Sequence, residues 1–163
     1  PAKVVRPVAE KAGIKTVAKN SKAFHEYYIL ERYEAGIELF GTEVKSIRSG
    51  NISLKEAWCS IQNGELFLKQ MHISPYERGS FSNRDPLRPK RLLMHKKEIM
   101  TLLGKTQQAG LTLVPLSVYF KNSRVKVEIA LAKGKKLHDK RSSEAEKDAK
   151  RQMDRAMKER NQY

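Results

Sequence analysis

The stretch LTLVPLSVYFKNSRVKVEIALAK, residues 111–133, decides the fold. Val125, Val127, Ile129 and Leu131 alternate with Lys126, Glu128, Ala130 and Ala132. Successive side chains of a strand point to opposite faces, so this spacing predicts a strand with one apolar face and one wet face. Residues 111–121 read as a strand before it, and Asn122-Ser123 turns between the two. Pro115 cannot donate to a ladder, which places it at an edge or a bulge.

The same signature recurs upstream. Asn63-Gly64 divides residues 57–62 from 65–73, and an Asn-Gly pair supplies the two positive φ angles of a tight hairpin. Residues 27–34 read as a strand with β-favouring Tyr27, Ile29 and Tyr33; Ala35-Gly36 punctuates it, and residues 37–40 continue or pair with it. A short helix is expected with Thr42 as N-cap, Glu43 in its first turn, Val44 and Ile47 on one face and Gly50 at its end. Residues 74–91 read as a loop. A second helix is expected over 95–109, with Ile99, Leu102 and Leu103 as its inward stripe. About six short strands and two or three short helices in roughly 110 residues, joined as hairpins, predict a mainly β fold. The expected architecture is a small antiparallel barrel of the oligonucleotide-binding type with peripheral helices.

Charge says what such a body addresses. The 163 residues carry 33 Lys+Arg against 18 Asp+Glu, a formal net charge of +15. A polyanion is the expected partner, nucleic acid before an anionic membrane surface. No run of 18 apolar residues spans a bilayer and no signal sequence opens the chain, so a cytoplasmic protein is expected. The single Cys59 excludes an internal disulfide framework and reads as a buried small hydrophobe in a strand.

The charge is uneven. Lys3, Arg6, Lys11, Lys15, Lys19 and Lys22 face only Glu10 in the first 23 residues, so 1–19 reads as a flexible basic arm before a body at 20–132. Arg84, Arg88, Lys90, Arg91, Lys96 and Lys97 make a basic loop. Lys133, Lys135, Lys136, Lys140 and Arg141 open a tail, 133–163. There Ser143 and Glu146 have capping-box spacing, Glu146–Lys150 and Asp154–Lys158 are i, i+4 pairs, and Ala145, Ala149, Met153, Ala156 and Met157 form a thin apolar stripe. Such a segment is marginal alone in water. It reads either as a solvated helix or disordered tail, or as a helix formed inside a polyanionic groove.

Motifs for catalysis are missing. None of His25, His72, His95 and His138 stands at metal-ligand spacing, and Gly134-Lys135-Lys136 lacks the rest of a phosphate loop. Glu31, Glu34, Glu43 and Asp85 are scattered acids that a metal-dependent nuclease would have to gather, and salt bridges are their ordinary use. No enzyme, metal or cofactor is expected. Rings and cations interleave at Phe24-His25-x-Tyr27-Tyr28 and Tyr119-Phe120-Lys121, the means of stacking on unpaired bases while meeting phosphate. Strand alternation turns one ring of each adjacent pair toward the core.

Several runs stand in one order along the chain: Asn20-x-x-Ala23-x-His25-Glu26-Tyr27-x-Ile29, Glu34-Ala35-Gly36-Ile37, Gly41-Thr42-Glu43-Val44-Lys45-Ser46-x-Arg48, Asp85-Pro86-x-Arg88-x-Lys90-Arg91-Leu92-Leu93 and Gly134-Lys135-Lys136-x-His138-Asp139-Lys140-Arg141. Together they are similar to the small protein B family, the bacterial partners of transfer-messenger RNA. The resemblance implies an oligonucleotide-binding-type barrel and the rescue of stalled ribosomes by trans-translation. It implies binding to the tRNA-like domain of transfer-messenger RNA near its D-loop and elbow, in place of the missing anticodon arm, and delivery with elongation factor Tu. It places the tail in the decoding centre of the small-subunit ribosomal RNA, then as a helix along the empty message channel. A monomer is expected.

Carried over residue by residue, Asn20, Glu34 and Leu93 match the positions most tied to that RNA, and His25, Tyr27, Lys45, Arg48, Lys90 and Arg91 are contacts on the same motifs. Glu34 would accept from a base edge or orient a neighbouring cation; Leu93 would pack on an unstacked base or in the core. In the tail the resemblance assigns Lys133, Lys135, Lys136, Lys140 and Arg141 to ribosomal phosphate, His138 to stacking in the decoding centre, and Asp139, Met157 and Lys158 to the same surface. The stretch Glu144-Ala145-Glu146-Lys147-Asp148 is more acidic than the family's pattern. A generic structured- or single-stranded-RNA binder is the alternative.

Overall fold

The computed structural model describes residues 13–76, 83–108 and 110–160. Among them the order is β1 (Ile14–Lys19), α1 (Ser21–Glu26), β2 (Tyr27–Ile37), α2 (Gly41–Arg48), β3 (Ile52–Ser53), β4 (Trp58–Gln62), β5 (Glu65–Lys69), β6 (His72–Ile73), β7 (Lys90–Leu93), α3 (Lys96–Thr106), β8 (Leu111–Lys121), β9 (Arg124–Gly134) and α4 (Leu137–Arg160). Seven strands make one sheet in the order β1-β8-β9-β2-β7-β5-β4, and β3 pairs with β6. Every pairing is antiparallel.

The expected barrel is not formed: among the described residues no ladder joins the outer strands β1 and β4, so the sheet is open. Its centre is three 11-residue strands, β8, β9 and β2, whereas the edges have only 6 and 5 residues. Short edges offer few positions for a closing ladder. The architecture is mixed α/β, with a 24-residue helix at its end.

Both hairpins turn as the sequence predicts. Asn63 and Gly64 have φ of 52° and 75°, and Asn122 and Ser123 have 49° and 64°. Two positive φ angles give the turn a twist that matches the flanking strands. Pro115 lies on an interior strand and is accommodated by a bulge, the β8–β9 register shifting between Pro115 and Ser117.

The wet face predicted for β9 is wrong at one end. Glu128, Ala130 and Ala132 are buried together with Ala23, Val114 and Leu116. Helix α1 lies over them, with Tyr27 and Ile29 at the margin. The sheet therefore has two cores. The larger, on its other face, gathers Tyr33, Ala35, Val127, Ile129 and Leu131 with Ile47 of α2 and Ile99 and Leu102 of α3. Cys59 is buried there, and desolvation pushes its thiol up to about 12.

Other expectations shift for local reasons. Ala35-Gly36 does not break β2, because Gly36 pairs with both Leu93 and Lys126. Phe40, not Thr42, is the N-cap of α2, since Glu43 reaches back to accept from the Phe40 N–H at 2.9 Å. Residues 14–19, assigned to the flexible arm, are an edge strand on β8; residues 1–12 lie outside the described residues. Strand β7 stands where a loop was expected, because Lys90 and Arg91 disguise a strand whose positions 90 and 92 point inward.

Helix α1 was also unexpected. It is six residues long, and Asn20 makes it possible. Asn20 Oδ1 accepts from the Ala23 N–H at 3.3 Å, its Nδ2 donates to the Pro115 carbonyl at 2.9 Å, and its own N–H donates to the Leu116 carbonyl at 2.8 Å. One buried amide thus caps the helix and ties it to the β8 bulge. Asn20→Ala should lower stability by about 1–3 kcal/mol in denaturant unfolding, from the lost cap and an unpaired carbonyl.

Candidate nucleic-acid interface

The face of the sheet that carries α1 continues past it as an accessible polar surface. Arg32 and Glu34 follow one another on this face of β2; Glu34 stands opposite Glu128, and Gly36 opposite Lys126 and Leu93. Two carboxylates facing each other are unfavourable unless cations intervene. Here they do. Arg32 Nη1 donates to Glu128 Oε1 at 3.1 Å, and Lys121 Nζ donates to Glu34 at 3.3 Å. The Tyr119 hydroxyl donates a short hydrogen bond to the other Glu34 oxygen.

These contacts set the protonation states. Burial pushes the Glu34 carboxyl up, but the Tyr119 hydroxyl and the Lys121 and Lys126 ammoniums outweigh it, leaving it below the usual carboxylate range. Burial wins at Glu128, whose carboxyl sits above that range despite Arg32 and Ser117. Tyr119 is driven well above its ordinary value by burial and by Glu34, so it stays a proton donor.

Leu93 ends this face. It is 44% exposed and packs over Gly36, where a side chain's first carbon would come within 3.3 Å of its Cβ. Glycine at 36 thus lets Leu93 lie down beside Lys126. At the opposite end Arg32 is 5.5 Å from the Phe24 ring on α1. Asn20, Glu34 and Leu93 therefore occupy one continuous face, Asn20 as a buried pin and the other two accessible.

The remaining candidates divide. His25 is half-buried and Tyr27 packs against the smaller core, while Tyr28 beside it is exposed. Lys45 and Arg48 are exposed on α2 and stand over the Tyr76 and Phe120 rings at 5.4 and 5.5 Å. Arg91 is exposed and lies 3.6 Å from both Glu38 and Glu65. Lys90 does not fit the role assigned to it: it is fully buried, donating to the Met71 and Pro86 carbonyls at 2.7 and 3.2 Å. Burial lowers its pKa to about 8.

Lys90→Met should leave RNA affinity unchanged within about twofold yet lower stability by about 1–3 kcal/mol, because a buried carbonyl loses its donor. Its folded pKa lies below its unfolded value, so between about 8 and 10.5 the unfolded chain binds more protons. Wild type should therefore gain stability over the variant as pH rises through that window.

At the tail, Lys133, Lys136, His138, Arg141, Met157 and Lys158 are exposed, and Lys135, Asp139 and Lys140 are half-buried. Helix α4 buries no residue.

Sequence reasoning passed over Arg32 and Lys126 as parts of the site, and it named Tyr119 and Lys121 only within an aromatic cluster. Their roles come from pairings 85 or more residues apart, which no local spacing encodes. The four scattered acids do not converge. Glu31 holds Lys105 of α3 at 2.8 Å, Glu43 holds Arg88 at 2.6 Å, and Asp85 accepts from the Leu87 N–H. Among the described residues no group of three metal-ligating side chains stands together, and no helix is long and apolar enough to cross a membrane.

An antiparallel sheet with a cation-matched carboxylate, an exposed leucine and rings under cations offers the groups that nucleic-acid-binding proteins use. Residues 17–159 match the family model described as SmpB protein. The SsrA-binding protein of Clostridium botulinum (strain Hall) is 58% identical over 156 residues, 96% of this chain and 100% of that protein. That of Clostridium novyi (strain NT) is 60% identical over 148 residues, 91% and 94% of the two chains. A chain in the solved structure "tmRNA-SmpB: a journey to the center of the bacterial ribosome" is 47% identical with a TM-score of 0.64, covering 80% of this chain and 93% of that one. The chain belongs to the SmpB family, and it is a non-enzymatic RNA-binding protein.

Proposed function

We propose that the chain binds the tRNA-like domain of transfer-messenger RNA at its D-loop and elbow and carries it, with elongation factor Tu, to stalled ribosomes for trans-translation in the cytoplasm. The face from α1 to Leu93 receives this RNA as a monomer. Glu34 holds Lys121 toward a phosphate and keeps one oxygen edge for a base, Leu93 packs on an unstacked base, and His25, Tyr27, Lys45, Arg48 and Arg91 add contacts along the rim. Asn20 acts by fixing α1.

The tail addresses a second RNA. Lys133, Lys135, Lys136, Lys140 and Arg141 meet ribosomal phosphate in the decoding centre, with His138 stacking and Asp139 orienting its neighbours. The rest of α4, with Met157 and Lys158, lies along the empty message channel.

The observation that carries this reading is the continuity of one face from Phe24 through Arg32 and Glu34 to Leu93, in a chain of this family. Recovering the protein from cells and sequencing the bound RNA tests it. One dominant structured RNA is expected; a broad mixture would instead mark a generic RNA binder.

A further inference from the structure

The root of α4 is tied to α1 and β2 by a compact set of polar contacts. The Lys135 N–H donates to the Glu26 carbonyl at 2.8 Å. Its ammonium donates to Ser143 Oγ at 3.1 Å and the Phe24 carbonyl at 3.4 Å, and lies 5.1 Å from the centre of the Tyr28 ring. Glu144 Oε1 is 3.4 Å from His25 Nε2. Asp139 Oδ2 accepts from the Lys136 N–H at 3.3 Å, at the head of the helix. Since α4 buries no residue, these contacts and not a core hold its first two turns.

The groups so engaged are His25, Tyr28 and Lys135, a half-buried imidazole, an exposed ring and a cation beside it. Those are the groups that phosphate oxygens and unpaired bases seek. What meets His25 and Lys135 is a carboxylate, a hydroxyl and a carbonyl, oxygen ligands of the kind a phosphate supplies. We propose that the first two turns of α4 form an intramolecular clasp in which Glu144 stands in for RNA on His25 and Ser143 on Lys135, so that RNA binding at α1 displaces the tail. The competition at His25 rests on the RNA reading above; the clasp itself does not.

The test uses the full-length chain. In the absence of RNA, E144Q should speed hydrogen exchange at the backbone amides of residues 140–144. With the tRNA-like domain of transfer-messenger RNA as probe, E144Q should bind about two- to fivefold tighter at low salt, the size expected for release of an exposed ion pair. The gain should vanish in an H25Q background and should not be reproduced by D154N, which removes one acid farther along the same helix. Unchanged amide exchange in E144Q would overturn the clasp. Faster exchange with no gain in affinity, or a gain that persists in H25Q or appears equally in D154N, would overturn the competition. Equal binding of wild type to an unrelated hairpin would count against the RNA reading alone, since the exchange measurement does not involve RNA.

Discussion

A chain ending at Lys136 will bind the tRNA-like domain as tightly as the full-length protein or up to about fivefold tighter, yet it will tag no stalled peptide. The cut belongs there because β9 runs to Gly134 and the Lys135 N–H closes onto α1. An earlier cut would strip hydrogen bonds from the central strand. What leaves is a helix with no buried residue, so the body loses no core. The charge lost is also small. Leu137–Arg160 holds eight basic and six acidic side chains, so most of the chain's +15 stays with the remainder. The slope of affinity against salt should change by about one phosphate contact or less, since that slope counts neutralised phosphates. Tagging of a peptide stalled on a truncated message, assayed with purified ribosomes, reads the other half. Loss of RNA binding in step with tagging would show that body and tail are not separate devices.

Replacing Glu34 with alanine will weaken the same RNA on the order of tenfold, while affinity for an unrelated hairpin changes little. Glu34 receives the Tyr119 hydroxyl and the Lys121 ammonium together, and a hydrogen bond to a charged group contributes about 1.5–3 kcal/mol. About 1.4 kcal/mol at the binding step is already tenfold. Without the carboxylate, Tyr119 keeps a buried hydroxyl without its acceptor, and Lys121 loses the group that aims it. Glu34→Gln separates the two effects, because its amide oxygen still accepts from Tyr119 but cannot hold Lys121 by charge. A uniform loss across all RNAs, with an early unfolding midpoint, would mark misfolding instead. The Glu34 carboxyl is depressed in the folded chain. Its contribution to stability is therefore complete above its unfolded pKa and is lost only as pH falls through the lower folded value. Selectivity for the RNA should thus be flat from pH 6 to 8.

Much of the sheet was legible from alternation and turn chemistry. The positions of both hairpin turns and the stripe of α3 follow from spacing alone. The elements that escaped share a cause: their stability comes from partners distant in sequence. Residues 14–19 carry β-branched Ile14, Thr16 and Val17, but in a short run among lysines whose pairing with β8, about 100 residues away, makes them β1. Lys90 looks like a solvent cation until the Met71 and Pro86 carbonyls converge on its ammonium. Ala130 and Ala132 sit in positions that alternation marks as wet, and α1, invisible without its Asn20 pin, dries them. The site divides in the same way. The motifs single out Glu34 and Leu93, which lie on one accessible face, whereas Arg32, Tyr119 and Lys126 join it through cross-strand pairings. The barrel was overcalled because hairpin count sets the number of strands, whereas closure depends on how long the edges are.

Among the described residues the polar contacts of helix α4 with the body lie in its first two turns, and the helix then runs on for the rest of its 24 residues. At 1.5 Å per residue that is a rod of about 36 Å held at one end. Such a rod is a lever with its fulcrum at Lys135. A pivot of about 15° there carries the far tip through about 9 Å, roughly three times the displacement at Glu144. Substitutions near Lys135 and His25 therefore steer where Met157 and Lys158 arrive without touching them.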